Sequence, residues 1–430
     1  MNRLEGGPRY RMFKLTGLLS FALMYNFTYM ARFNISNSMD GILKDISISD
    51  GAVTFINASI FASYALGSFI NGYMADKYGG RRVIIIGGLV SACLNLIVQL
   101  ASGWAVLVVI NILNGYFQSM IWVGGISMLV QWWSPGERGI SVGIANFFSG
   151  LSHVTAYVVP VLIIAAFPAG SWRNNFAEPM IIFILLILLF AVCSKERPES
   201  IGRKPYKLTG ERRRREEALK ISAETGALPF AVFFRDKVFI VWCIIAMISS
   251  ICRYGLLNWI IVYFQKTVGN PYIGDAFLTF TLPFGMAAGT LIITWVVCAK
   301  FPDNKDLAVT GLAALCASLI ITFPMLGDSN AVIIGIFFTG FILYGINGIF
   351  WIYAMDFGGR IYAGTAAGII NGFAYIGATI EGGLFSFIAD KTGDYLFIFI
   401  AMEFLCIAMA VLGLVICKKN IIVLKDDEYR

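Results

Sequence analysis

Apolar stretches about 20 residues long recur along this chain, each enough for a helix rising about 1.5 Å per residue to cross a bilayer's hydrocarbon core. Twelve are read, over residues 14–38, 51–74, 83–101, 104–132, 140–167, 175–193, 238–265, 272–298, 307–326, 331–356, 361–389 and 395–417. A backbone inside lipid must satisfy its own hydrogen bonds, so each stretch is expected to be a helix. Charged residues make up 14% of the 430 and hydrophobic ones 58%, whereas a soluble domain carries about 25% charged residues. The chain therefore reads as an all-α integral membrane protein. Its 44 glycines suit closely packed spanning helices.

Loop charge sets the expected orientation. Of 33 lysines and arginines, 27 lie in the termini, in alternate loops and in the segment between spans 6 and 7. Four (Lys44, Arg173, Lys266 and Lys391) lie in the remaining loops, and Arg32 and Arg253 fall inside spans. The positive-inside rule then puts both termini in the cytoplasm, which requires an even number of spans. The net charge of +7 belongs to short loops, so nucleic acid is not an expected partner. The eight cysteines fall in or at the edges of spans, with neither zinc spacing nor a disulfide framework, and read as packing residues. The first apolar segment is too long for the core of a cleavable signal peptide and reads as a retained span. A multi-pass protein of a plasma membrane, of the bacterial inner-membrane kind, is expected, as a monomer in the lipid bilayer.

Residues 194–236 form the one substantial linker and separate six-span halves at 1–193 and 237–430. The linker contains RKPYKLTGERRRREEALK, where Arg212 to Arg215 form a basic run. An interfacial helix touching anionic lipid is the expectation there. The halves look related. Gly143-Ile144-Ala145-Asn146-Phe147-Phe148 in span 5 resembles Gly368-Ile369-Ile370-Asn371-Gly372-Phe373 in span 11, and Arg32 in span 1 has a counterpart in Arg253 in span 7. Two parallel repeats place a site at their interface near the midplane.

Arg32 sits well inside span 1. Insertion scales put an arginine at that depth at roughly 2.5–3.5 kcal/mol, and such residues usually face a bundle interior or an aqueous cavity. Tyr25 and Tyr29 lie at i−7 and i−3 on the same helical face. One reading is an arginine snorkelling to the outer interface; the other is an anion-binding residue.

Between spans 2 and 3 the chain reads Gly72-Tyr73-Met74-Ala75-Asp76-Lys77-Tyr78-Gly79-Gly80-Arg81-Arg82. The glycines permit a tight turn, and Asp76 beside the basic residues suggests an ion-paired latch on the cytoplasmic side. This spacing resembles the GxxxDxxGRR-type signature of the major facilitator superfamily. The corresponding loop of the second half, Ala299-Lys300-Phe301-Pro302-Asp303-Asn304-Lys305, lacks the pattern, so any latch there must be built differently. Gly115-Tyr116-Phe117-Gln118-Ser119-Met120-Ile121-Trp122, Gln131-Trp132-Trp133-Ser134-Pro135-Gly136-Glu137-Arg138-Gly139, Arg253-Tyr254-Gly255-Leu256-Leu257-Asn258-Trp259 and Gly364-Thr365-Ala366-Ala367-Gly368 narrow the resemblance. Together they are similar to the organophosphate:phosphate antiporter family, which includes glycerol-3-phosphate, hexose-6-phosphate and phosphoglycerate transporters.

The resemblance implies a major-facilitator fold, with 12 transmembrane helices in two pseudo-symmetric six-helix bundles. It implies that Arg32 and Arg253, on the first helix of each half, hold the phosphate of a substrate, as two planar forks able to clamp a tetrahedral oxyanion. Asp76, Arg81, Arg82 and Arg138 become candidate gating residues. The chain departs from the glycerol-3-phosphate type at Ser68 (a lysine there), Ser149 (a histidine there) and Phe33 (a lysine there). Its single histidine, His153, lies one turn beyond Ser149. Helical faces add Gln118 with Trp122, Tyr344 with Asn347 and Trp351, and Asn371 with Tyr375, beside Asn146. These residues suit hydrogen bonding and stacking with a polyol, and equally suit interhelical polar contacts. Glu381, in the outer part of span 11, is a candidate for proton or substrate binding or for balancing an arginine.

The expected function is secondary active transport of a small phosphorylated metabolite, glycerol phosphate or sugar phosphate, exchanged for inorganic phosphate by alternating access. Two alternatives stand beside it. Arg32-Phe33-Asn34-Ile35-Ser36 also resembles span 1 of anion:cation symporters for carboxylates such as hexuronate, and some antiporter relatives act as sugar-phosphate sensors. No nucleophile–base constellation suggests an enzyme, and no metal or other cofactor is expected.

Overall fold

A computed structural model of the chain describes residues 7–46, 48–166, 172–225, 229–264, 275–326 and 331–428. Lys266, the expected span ends at 167, 265 and 272–274, and residues 226–228 of the linker lie outside the described residues. In chain order the first helices are α1 (Pro8–Asn37), α2 (Met39–Asp45), α3 (Asp50–Tyr78), α4 (Gly80–Val98), α5 (Trp104–Trp132), α6 (Arg138–Ala166) and α7 (Asn174–Cys193). The linker contributes α8 (Gly210–Glu224) and α9 (Pro229–Arg235). Then follow α10 (Lys237–Tyr263), α11 (Asp275–Lys300), α12 (Lys305–Ile320), α13 (Phe323–Leu326), α14 (Ala331–Thr392) and α15 (Leu396–Glu428).

Eight of these are long and apolar enough to cross a membrane by length and composition alone. One of the eight, α14, runs 62 residues, about three times what a bilayer requires, and is two spans. Gly359, at φ 57 and ψ −158, and Tyr362, at φ −131, break the helical path. The first of these is a conformation that glycine alone adopts readily. The arms, 331–358 and 363–392, correspond to the expected spans 10 and 11. With the more polar α1, with α6 and with the short α12, the spans number twelve, as in the all-α major-facilitator fold expected from the sequence.

Paired glycines let the spans meet closely, and they do so in a repeated way. On α6, a Cβ at Gly139 would come 2.5 Å from the Thr294 carbonyl and one at Gly143 2.7 Å from Thr294 Oγ1, both on α11. On the second arm of α14, a Cβ at Gly364 would come 2.6 Å from Asp76 Oδ1, and one at Gly368 would overlap the Ser68 carbonyl, both on α3. These are small-xxx-small contacts that bring backbones together where the lipid supplies no hydrophobic drive between helices. The sequence match between spans 5 and 11 is thus a match of packing as well.

The linker helix turns part of its basic run to protein groups, while Arg213 and Arg214 stay exposed. Arg212 Nη2 lies 3.2 Å from Asp303 Oδ1, Arg213 pairs with Glu217 at 2.8 Å, and the Arg215 guanidinium sits 3.5 Å over the Phe357 ring. Glu216 accepts from Arg360 Nη2 at 2.6 Å, and Leu219 is buried. Residues 212, 215, 216 and 219 share one helical face, and that face seals against the end of α14. Below, the side of the molecule carrying this helix is called the linker face.

On the opposite face α2 is anchored by its last residue: Asp45 Oδ2 accepts from Trp172 Nε1 at 2.8 Å and Arg173 Nη1 at 2.7 Å.

The close approach at Gly368 is testable. Gly368→Ala is expected to lower thermal stability, since overpacking costs about 1–3 kcal/mol. Gly311→Ala, facing open space on α12, should leave it unchanged. Equal melting temperatures for the two variants would contradict the α3–α14 contact.

Candidate functional site

The first arginine of the pair does not snorkel. Arg32 is 3% exposed, and its partners come from α3, α5 and α14. Nε donates to Gln118 Oε1 at 3.1 Å and Nη1 to the Tyr375 hydroxyl at 2.5 Å. The guanidinium lies 4.5 Å from the Tyr29 ring centroid and 4.6 Å from that of Tyr64, a cation–π geometry that answers part of its charge. Gln118 is itself held, donating to Ser91 Oγ at 3.2 Å and Asn114 Oδ1 at 3.1 Å. Asn114 in turn donates to the Ala31 carbonyl at 2.8 Å. A neutral network fixes the fork, and among the described residues Nη2 remains a buried donor without a partner.

Arg253 is also buried. It donates to Ser250 Oγ at 3.4 Å and lies 4.7 Å and 5.0 Å over the rings of Tyr254 and Tyr344. Among the described residues no carboxylate pairs with either arginine. Between them lie Tyr29, whose ring faces Arg32, and Tyr344, whose ring faces Arg253, with His153 near both rings. His153 sits 5.1 Å from the Tyr29 ring and 6.3 Å from that of Tyr344. Neither of its ring nitrogens has a well-formed hydrogen bond. Ser149 does not stand in as a base: its hydroxyl donates to Tyr29 Oη at 3.2 Å.

The remaining candidates bridge helices around this centre. Trp122 on α5 meets Trp351 on α14 edge to face at 5.2 Å, and both indole N–H groups are buried without partners. Tyr25 packs on Trp122 at 4.7 Å. Asn347 Nδ2 approaches Asn146 Oδ1 at 3.5 Å, and Asn371 Nδ2 donates to Ser68 Oγ at 3.2 Å. Tyr375 stacks on Tyr64 at 4.1 Å. Tyr25, Tyr29, Gln118, Trp122, Ser149, His153, Tyr344 and Tyr375 touch an arginine or one another, whereas Asn146 and Asn347 pair with each other and Asn371 with Ser68, contacts that join helices. Glu381 stands apart from the arginines, accepting from Asn258 Nδ2 at 3.1 Å and Trp259 Nε1 at 3.0 Å.

At the linker face Asp76 departs from the expected ion pair. Its carboxylate accepts from the Gly364 and Thr365 amides at 2.8 and 2.6 Å, from Thr365 Oγ1 at 2.7 Å and from Ser127 Oγ at 2.9 Å. It thus caps the start of the second arm of α14, whose amide groups carry partial positive charge. The neighbouring basic residues turn elsewhere. Arg81 donates to Ser194 Oγ at 3.2 Å and to the Ala191 carbonyl, and Arg82 is exposed. Gly79, at φ 98, makes the turn, and Glu196 accepts from the Gly80 and Arg81 amides that follow it. Burial raises the Glu196 carboxyl above its usual range, against the pull of those two amides.

Arg138 is fully buried and crosses to Asp356, with a second bond to the Tyr206 hydroxyl at 3.0 Å. Lys305 reaches the same carboxylate at 2.8 Å. The second-half counterpart of the Asp76 contact is neutral: Thr294 Oγ1 and Cys298 Sγ donate to the Gly139 and Pro135 carbonyls.

Sequence reasoning passed over Tyr64, Tyr254, Ser91, Asn114, Tyr206 and Asp356. Tyr64 shares a face with Ser68 at i+4, and Tyr254 directly follows Arg253. Those were the available signals.

The model of the Major Facilitator Superfamily matches residues 21–381. A glycerol-3-phosphate transporter of Bacillus subtilis (strain 168) is 22% identical over 395 residues, covering 89% of this chain and 87% of its own. A hexuronate transporter of the same organism is 23% identical over 396 residues, covering 89% of each chain. Among solved structures, a proton:xylose symporter bound to 6-bromo-6-deoxy-D-glucose superposes with a TM-score of 0.71 at 14% identity, over 93% of this chain and 94% of that one.

The contact between α3 and α14 at the centre makes a direct prediction. A Ser68→Cys, Asn371→Cys variant lacking native cysteines should form a disulfide under mild oxidation, joining the fragments produced by cleavage in the linker. Fragments that separate fully on a non-reducing gel would contradict the contact.

Proposed function

This chain belongs to the Major Facilitator Superfamily, and on that premise we propose that it carries a small organic anion, a phosphorylated metabolite exchanged for inorganic phosphate. The observation that carries the reading is the pair of buried guanidinium groups without carboxylate partners among the described residues. Two such cations in a low-dielectric interior repel one another and favour an anion placed between them. Arg forks match the oxygen geometry of phosphate. The unpartnered Arg32 Nη2, the indole N–H groups of Trp122 and Trp351 and the imidazole of His153 leave donors for further oxygens. Tyr25, Tyr29, Gln118, Ser149, Tyr344 and Tyr375 shape and orient the site, and Asn146, Asn347 and Asn371 hold its helices.

In this reading residues 1–193 and 237–430 are two halves that rock about the arginines, joined by 194–236, in a bacterial inner membrane with both termini cytoplasmic. The protein acts as a monomer. Asp76 and Arg138, which tie α3 and α6 to α14, release when the linker face opens, while Arg81 holds the turn beside Asp76 and Arg82 stays exposed next to it. The substrate's negative charge lowers the cost of moving an otherwise doubly cationic site. That is why exchange is favoured over net flux.

A second reading, proton-coupled uptake of a carboxylate, is favoured by the hexuronate transporter relative and by Glu381. That carboxylate is buried beside two neutral donors, an arrangement suited to carrying a proton.

Purified protein in proteoliposomes loaded with radiolabelled phosphate separates the two. Counterflow with external phosphate or a phosphorylated metabolite, at zero proton gradient, is expected; uptake of hexuronate driven by a proton gradient, with no phosphate counterflow, supports the second reading. Arg32→Gln and Arg253→Gln should each weaken anion binding by roughly 2–5 kcal/mol, as removal of a buried charge partner does, and so reduce exchange to background. Wild-type exchange by the double variant would contradict the clamp.

A further inference from the structure

A cavity of about 350 Å³ opens on the linker face where the end of α3, the start of α4 and the chain leaving α7 converge. Lys77, Arg81, Arg82, Lys195 and Arg197 line it, against the single carboxylate of Glu196. That carboxylate is occupied with the Gly80 and Arg81 amides, at 2.8 and 2.9 Å, and the Arg81 side chain turns inward to Ser194 and Ala191. Among the described residues, Lys77, Arg82, Lys195 and Arg197 have no ion-pair partner. Five cations against one carboxylate leave the concavity with an excess of positive charge, and a bound anion relieves that repulsion.

Helical register says where the anion comes from. Lys77 follows Leu66 and Ile70 at i+11 and i+7, on one face of α3, and Arg82 precedes Ile86 by four on α4. Leu66, Ile70 and Ile86 are exposed side chains, as are Leu185, Leu188 and Val192, which form one stripe on α7 ending three residues before Lys195. These apolar faces are what the acyl chains of a bilayer cover. The cations stand at their foot, at headgroup level, and the half-exposed Tyr78 sits beside them as interfacial aromatics do.

We propose that this cavity binds the phosphate of an anionic phospholipid, of the phosphatidylglycerol or cardiolipin class, from the leaflet on the linker face. Its acyl chains lie along the exposed stripes of α3, α4 and α7. Free phosphate and small phosphate esters share the headgroup chemistry but lack the chains, so the cations alone would hold them weakly.

Native mass spectrometry of the full-length protein in non-ionic detergent tests this with three probes: phosphatidylglycerol, phosphatidylcholine and inorganic phosphate. Phosphatidylglycerol should be retained in preference to phosphatidylcholine, and millimolar inorganic phosphate should not displace it. Lys77→Gln, Lys195→Gln, Arg197→Gln should weaken phosphatidylglycerol binding roughly a hundred-fold, at about one kcal/mol per cation. Should that triple variant not fold, Lys77→Gln alone should weaken it about five-fold. Equal retention of the two lipids, undiminished binding by the folded variant, or displacement by inorganic phosphate would each overturn the proposal.

Discussion

A guanidinium deep in a membrane protein has to be answered, and the way Arg32 is answered organises the centre of this molecule. Among the described residues no carboxylate neutralises it. Gln118, backed by Ser91 and Asn114, holds it from α5; Tyr29 and Tyr64 present ring faces; Tyr375 accepts from it across more than three hundred residues of chain. Hydrogen bonds and ring faces fix the position of the charge without cancelling it. Arg253 is treated the same way by Ser250, Tyr254 and Tyr344. Partnering an arginine with a carboxylate would have silenced it as an anion receptor. The aromatic setting keeps it available.

The linker face depends on a different balance. Backbone contact at paired glycines brings α6 onto α11 and the second arm of α14 onto α3, and polar groups then close each seam. One seam uses a full carboxylate, Asp76, on helix amides; its counterpart uses a hydroxyl and a thiol on carbonyls. The asymmetry is made up elsewhere, by Arg138 and Lys305 on Asp356 and by the linker helix on Arg360. The halves resemble each other in backbone packing and differ in the chemistry that fastens them.

Much of this was legible in the sequence because lipid enforces a simple rule: a span must be long, apolar and helical. Trp104–Trp132 begins and ends where hydropathy places it, and the break at Gly359 falls in the short polar gap between two apolar runs. The match of residues 143–148 with 368–373 announced a repeat, and close packing at glycines is its physical content. Direction was less legible. That Arg212, Arg215 and Glu216 turn inward depends on Asp303, Phe357 and Arg360, about ninety to one hundred and forty residues away, and no local pattern reveals it. The same holds for Asp76, whose neighbours in sequence are cations but whose partners in space are amides. At the centre, helical faces grouped Gln118 with Trp122 and Asn371 with Tyr375. Tyr64 escaped notice because an aromatic in an apolar span looks like packing until an arginine is placed over it.

The central claim is that Arg32 and Arg253 share one oxyanion. The most direct measurement is a structure of the protein equilibrated with arsenate, a heavier tetrahedral analogue of phosphate, imaged by anomalous scattering. A single peak between the two guanidinium groups, lost in the Arg253→Gln variant, is the predicted result. An empty centre at saturating arsenate, or a peak held by one arginine alone and indifferent to loss of the other, would contradict it.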